Sequence, residues 1–196
     1  MRKKSIIILL GSCLLAWVLP VTGSIAQGNV NGIYRTAEDF KMNILMDPFP
    51  TDLENRIEQQ LGKDLLVYRK GEVKKYKFGS VYGYYQDGVK YRAWKKRKWF
   101  SDYGLYKLLD DSGIQLYSKR SAHHRSNGYT WYYYSKTPAG EIKRFTKGNI
   151  ESDFPAYPEF VQAVSEVLDC NKGNLGTDST RQLIIQYFRE KVKPEG

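Results

Sequence analysis

The chain has 196 residues, with 31 Lys and Arg against 21 Asp and Glu, a formal charge of +10 and two cysteines. That length fits one domain and suffices to bury a core without disulfides or metals, and the charge favours anionic partners. Two cysteines exclude a disulfide-framed fold, and the absence of low-complexity tracts and repeats excludes a disordered tail or a solenoid as the main architecture.

The first 26 residues read as an export signal. Arg2, Lys3 and Lys4 form a positive start, and Ile6 to Leu19 is an apolar run too short for an ordinary membrane span. Small residues at Ser24 and Ala26 fit the shallow pockets of a signal peptidase, so cleavage is expected after Ala26. This leaves 170 residues with a formal charge of +7. An uncleaved anchor is the first alternative, which the short run ending at Pro20 argues against. The second is a lipoprotein signal at Leu10-Gly11-Ser12-Cys13. Cys13 sits inside the apolar run, however, whereas a lipidation cysteine closes it. The expected location is periplasm, cell surface or medium. Cys13 leaves with the signal, so Cys170 has no intramolecular partner and reads as a small helix-end residue.

Residues 27–196 are expected to form a single α+β domain. Gly32 to Arg35 reads as a brief strand, and Thr36 with Asp39 as a capping box opening a short helix. Asp47-Pro48-Phe49-Pro50 stops that helix. Leu53, Ile57 and Leu61 recur every four residues before Gly62, which predicts an amphipathic helix over Thr51 to Leu61.

From Asp64 the period changes to two. Leu66 to Tyr68 and Val73 to Phe78 are strands joined by Lys70-Gly71-Glu72. Val81 to Trp94 is a hairpin around a type I′ turn at Asp87-Gly88, with Tyr84 opposite Tyr91 and Tyr82 opposite Ala93. That register puts Tyr82, Tyr84, Tyr91 and Ala93 on one face, and Val81, Tyr85, Lys90, Arg92 and Trp94 on the other. Two further hairpins follow, Leu105–Leu109 with Ile114–Tyr117 and Tyr129–Ser135 with Ile142–Phe145. The sum is an antiparallel, strongly twisted β-meander or half-barrel of about seven or eight strands over residues 64–145. The C-terminal part, 146–193, is helical. One stripe is Phe160, Val161, Val164, Val167 and Leu168 after Pro158, and a second is Leu183, Ile184, Tyr187, Phe188 and Val192 after a cap at Thr177 or Asp178. Two C-terminal helices are expected to cover the sheet.

The most conspicuous chemical feature is Trp94-Lys95-Lys96-Arg97-Lys98-Trp99, cations held between aromatics. Such a patch suits anionic polymer or lipid head groups, with rings available for stacking. The plainer account is a solvated loop between hairpins, anchored by its aromatics. Export makes nucleic acid an unlikely partner. His123 and His124 are the only histidines and lie between Arg120 and Arg125, which repel a metal ion. Neither Gly-x-Ser-x-Gly nor His-Glu-x-x-His occurs. Glu38-Asp39 and Asp110-Asp111 are explained by cap and turn chemistry rather than by acid–base catalysis. No catalytic residue, metal or cofactor is expected. The 16 tyrosines leave one sheet face for a partner, or fill the face under the helices; Tyr133 must oppose Tyr132 and Tyr134.

Gly32-Ile33-Tyr34-x-Thr36-x-Glu38-Asp39-Phe40 resembles the start of many uncharacterised exported proteins of the Bacteroidota. The resemblance continues through Tyr82-Gly83-Tyr84-x-x-Asp87-Gly88-x-x-Tyr91-Arg92, Tyr106 to Tyr117, and Tyr133-Tyr134-Ser135 before Phe145-Thr146-Lys147. It covers most of the mature chain and implies no catalytic residues. The expected function is a non-enzymatic periplasmic or cell-surface binding or structural module. The alternatives are an enzyme acting on an envelope or extracellular polymer, and a basic module adhering to anionic surfaces through residues 95–98. The sequence does not identify the partner; the candidates are an anionic envelope polymer, lipid head groups and another envelope protein.

Overall fold

The structure is a computed structural model, and it describes residues 30–52, 54–60, 64–95, 103–120, 130–170, 182, 184–187 and 190. The expected signal segment, Cys13, Lys96 to Trp99, His123, His124 and the cap of the last helix lie outside the described residues.

Strand β1 (Val30–Tyr34) leads into helix α1 (Ala37–Met42). Thr36 is its N-cap: the Thr36 hydroxyl accepts from the Asp39 amide at 3.0 Å, and the Asp39 carboxylate accepts from the Thr36 amide at 3.0 Å. This is the reciprocal cap that the sequence pattern predicts. Asn43, left-handed at φ 58°, closes the helix. The Asp47–Pro50 stretch does more than stop it. As β2 (Met46–Pro50) it returns antiparallel to β1 at the edge of a sheet, where a prolyl nitrogen can face away from the ladder.

The helix expected over Thr51 to Leu61 is not formed by the described residues of that stretch; Leu53, Leu61 and Gly62 lie outside them. The Asp52 carboxylate instead accepts from the amides of Glu54 and Asn55, a turn that starts strand β3 (Arg56–Gln60). Ile57 is the one buried side chain of that strand, and it pairs with Val67 of β4 (Asp64–Arg69). A single apolar residue on a short paired strand satisfies the burial that the four-residue spacing attributed to a helical stripe. Strand β5 (Glu72–Lys77) completes a three-stranded sheet through the Lys70-Gly71 turn, both residues at positive φ.

A 3₁₀ turn at Phe78–Ser80 precedes β6 (Gly83–Gln86) and β7 (Val89–Lys95). The Asp87-Gly88 turn has φ 52° and 80°, and Tyr84 faces Tyr91 with rings stacked at 4.7 Å, as the register predicts. The meander continues through β8 (Tyr103–Asp110), β9 (Gln115–Arg120), β10 (Thr130–Ser135) and β11 (Lys143–Arg144). Then come α2 (Lys147–Asp153), capped by Thr146, and α3 (Pro158–Cys170); Gln182, Ile184 to Tyr187 and Glu190 are also helical. The fold is α+β. An eight-stranded antiparallel sheet has the order β11-β10-β9-β8-β7-β6-β1-β2, the small sheet has the order β3-β4-β5, and neither closes into a barrel.

The cross-strand register sorts the core. Ile33, Tyr84, Tyr91, Lys107, Ser118 and Tyr132 are successive partners and so share one face. At one end of that face Ile33, Tyr84 and Ala93 pack with Leu65, Val67 and Phe78 of the small-sheet region. At the other end Leu116 and Tyr134 pack with Ile150, Phe154, Phe160 and Val164 of α2 and α3. Small sheet and helices therefore cover the same face. Tyr132 and Tyr134 lie under the helices, and Tyr133 points the other way.

One assignment within the central hairpin is reversed. Val81 is buried among the small-sheet core, while Tyr82 lies on the opposite side, its ring 5.2 Å from Phe40 and 4.9 Å from the Arg92 guanidinium. Regular alternation starts only at Gly83, because the 3₁₀ turn rotates the chain just before it.

Candidate cationic and aromatic binding face

The second face of the large sheet has its own register. Tyr34, Gly83, Arg92 and Tyr106 are successive partners, and so are Leu108, Tyr117, Tyr133 and Arg144. At the β1 end α1 covers this face through Phe40, whose ring meets Tyr34 at 5.0 Å. In the middle, the segment between β10 and β11 is held by the Tyr82 hydroxyl, which donates to the Pro138 carbonyl, and by Arg92.

Arg92 is completely buried. Its Nη2 donates to the Gly140 carbonyl at 2.5 Å and its Nη1 to the Tyr117 hydroxyl at 3.3 Å, while Nε has no partner. No carboxylate is bonded to it among the described residues. Its charge is met by three rings, with Trp94, Tyr82 and Tyr117 centroids at 4.8, 4.9 and 5.9 Å from Cζ. Desolvated cation–π contacts of this kind offset part of the burial penalty. Burial also pushes the Tyr117 and Tyr82 phenols well above their ordinary range, so both stay neutral hydrogen-bonding partners.

Beyond Arg92 the same face continues as stacked pairs. Lys119 Nζ lies 5.2 Å from the Tyr106 ring, and the Arg144 guanidinium lies 3.8 Å from the Trp131 ring. Tyr106 in turn meets Tyr133 edge-on at 4.8 Å. Gly104, the ladder partner of Trp94, makes room for this arrangement: a β-carbon there would lie 2.5 Å from Lys119 Nζ. Trp94, Lys119, Trp131 and Tyr133 are half-buried, and Arg144 and Lys95 are exposed. The ladder positions from Trp94 across to Arg144, namely Gly104, Tyr106, Lys119, Trp131 and Tyr133, carry no carboxylate.

Of the six residues that the sequence singles out, the structure places Trp94 and Lys95 at the end of β7; Trp94 joins this face, while Lys95 has the parity of Tyr91 and Ala93 and belongs to the opposite one. Lys96, Arg97, Lys98 and Trp99 are outside the described residues. Lys119, Trp131 and Arg144 were not singled out. The signal that finds them is the alternation: they share parity with Trp94 and Tyr133 once the three hairpins are put in register.

A second concavity, of about 540 Å³, is lined by Asn43, Tyr85, Lys90, Lys107, Asp110 and Asp111 among others. Burial pushes the Lys90 amine down, against the pull of Asp111. Lys90, Asp110 and Asp111 already have structural roles there. Lys90 donates to the Phe40 carbonyl at 3.1 Å and lies 3.9 Å from Asp111, and Asp110 accepts from the Ser112 amide and hydroxyl in the turn. Among the described residues no group of three or more His, Cys, Asp or Glu is placed to hold a metal ion. No family model, curated protein or solved structure matches the chain.

Proposed function

We propose that the chain is an exported, non-enzymatic binding module that engages an anionic partner through the sheet face running from Trp94 to Arg144. The observation that carries this reading is the row of stacked pairs Arg92–Trp94, Lys119–Tyr106 and Arg144–Trp131 on one face, free of carboxylates at its ladder positions. Stacked rings hold the Lys119 and Arg144 heads in place, so an anion meets them already ordered, while the buried Arg92 supports Trp94. In sequence, Lys96, Arg97 and Lys98 follow Lys95, and Arg125 lies in the stretch after Arg120; these residues are outside the described ones. The formal charge of +7 on residues 27–196 supplies long-range attraction to the same class of partner.

The test is retention of residues 27–196 on immobilised dextran sulfate, with uncharged dextran as control. Retention that falls with salt, and falls further in the Lys119→Gln/Arg144→Gln variant, is the expected result. Unchanged retention in that variant removes the face from the account.

A further inference from the structure

We infer that the partner of this face is an acidic polysaccharide, an inference that rests on the binding-face reading above. Three observations select sugar over other anions. First, the guanidinium of the buried Arg92 lies 4.8 Å from the centre of the Trp94 ring, which is itself half-buried, so one side of the ring is held by a buried group. A fixed, partly exposed indole is a platform for the C–H face of a sugar ring. Second, the Lys119 ammonium reaches over Gly104, the ladder partner of that tryptophan. A ring stacked on Trp94 therefore has a cation beside it, where a carboxylate or sulfate substituent would sit. Third, Arg144 repeats the pairing two strands further on, over Trp131. From β7 to β11 there are four inter-strand steps, about 19 Å at ~4.8 Å each, the reach of a short oligosaccharide rather than of a single anion.

A bilayer surface fits less well. Insertion between lipids needs protruding apolar side chains, and the exposed large hydrophobics among the described residues are Met42, Ile44 and Val73, none of them in the row from Trp94 to Arg144. Two of the rings in that row, Tyr106 and Trp131, lie under Lys119 and Arg144.

The experiment compares four probes on residues 27–196 at fixed ionic strength: polygalacturonate, polyglutamate at equal charge concentration, neutral dextran, and vesicles containing anionic phospholipid. Polygalacturonate is expected to bind about two- to tenfold more tightly than polyglutamate or the vesicles, the worth of one stacked ring. Trp94→Leu removes that preference while leaving charge-driven binding, and Trp94→Phe restores part of it. Polygalacturonate is also expected to perturb the intrinsic indole fluorescence of the unmodified protein where polyglutamate does not, a readout that needs no variant. Equal binding of polyglutamate or of vesicles, with Lys119→Gln/Arg144→Gln still reducing it, overturns the polysaccharide inference and leaves the anion-binding face standing. Binding indifferent to Lys119→Gln/Arg144→Gln, or no binding to any polyanion, overturns both.

Discussion

Nη2 of Arg92 donates to the carbonyl oxygen of Gly140 at 2.5 Å, tying β7 to the segment between β10 and β11. A buried guanidinium without a carboxylate is costly, and here it is retained by two hydrogen bonds and three rings. It also sets the inner wall of the binding face, because Trp94 rests on it.

Arg92→Ala is therefore expected to destabilise the protein by about 3–5 kcal/mol, through the cavity and the acceptors it strands. Arg92→Met fills the volume and strands only the acceptors, so its loss is expected at about 1–3 kcal/mol. Urea-unfolding midpoints measure both. An Arg92→Ala protein within about 1 kcal/mol of the parent speaks against this role.

Two of the ladder glycines, Gly83 and Gly104, make different predictions. A β-carbon on Gly83 would lie 2.1 Å from the Tyr91 carbonyl oxygen, a backbone atom that cannot yield without breaking the β6–β7 ladder. Gly83→Ala is expected to cost more than about 3 kcal/mol or to prevent folding. On Gly104 a β-carbon would meet the mobile end of Lys119 at 2.5 Å and the ring of the buried Tyr106 at 2.8 Å. Gly104→Ala is expected to fold at a cost of about 1–3 kcal/mol, as that ring shifts, and to weaken polyanion binding by displacing the ammonium. Thermal melts together with a binding titration separate the two outcomes.

Acid is expected to loosen the contact between the sheet and α2. Asp153 accepts from Lys143 Nζ at 2.7 Å and from the Tyr134 hydroxyl at 2.7 Å. Burial alone would raise its carboxyl, but those two hydrogen bonds and the charges of Lys143 and Lys136 outweigh it and hold the group below its ordinary value. A carboxyl depressed in the folded state stabilises fully above its unfolded pKa of about 3.9, and that stability is lost as pH falls through the folded value. Asp153→Asn should thus lie below the parent by about 1–2 kcal/mol at neutral pH, and the gap should close under pH 4. Asp47 behaves in the same sense. Hydrogen bonds from Lys74 and Tyr76 lower its carboxyl and fasten β2 to the small sheet. Denaturation midpoints from pH 7 to pH 2 give the comparison.

What could be read from the sequence follows from where local chemistry decides the structure. Thr36 with Asp39, Asp87 with Gly88, and the alternation of Tyr132 to Tyr134 each specify their own geometry, and each has the expected cap, turn or facing. Arg56 to Gln60 was misread because pairing with β4, a partner contributed by another segment, decides its conformation. Tyr82 was put on the wrong face because a 3₁₀ turn of three residues resets the alternation just ahead of it. The binding face was half legible. Trp94 and Lys95 stand out as a motif, whereas Lys119, Trp131 and Arg144 are scattered along the chain and meet only through the register of β8 to β11. The burial of Arg92 carries no local signal, since its neighbours in sequence read as an ordinary basic strand.

The central claim is that the Trp94-to-Arg144 face holds the anionic partner. It is tested most directly by the salt dependence of polygalacturonate binding for the parent and for Lys119→Gln/Arg144→Gln. The account predicts that the variant keeps its thermal stability, binds about tenfold more weakly at low salt, and shows a shallower decline of log affinity with log salt because two cationic contacts are gone. An unchanged affinity and an unchanged slope would contradict it.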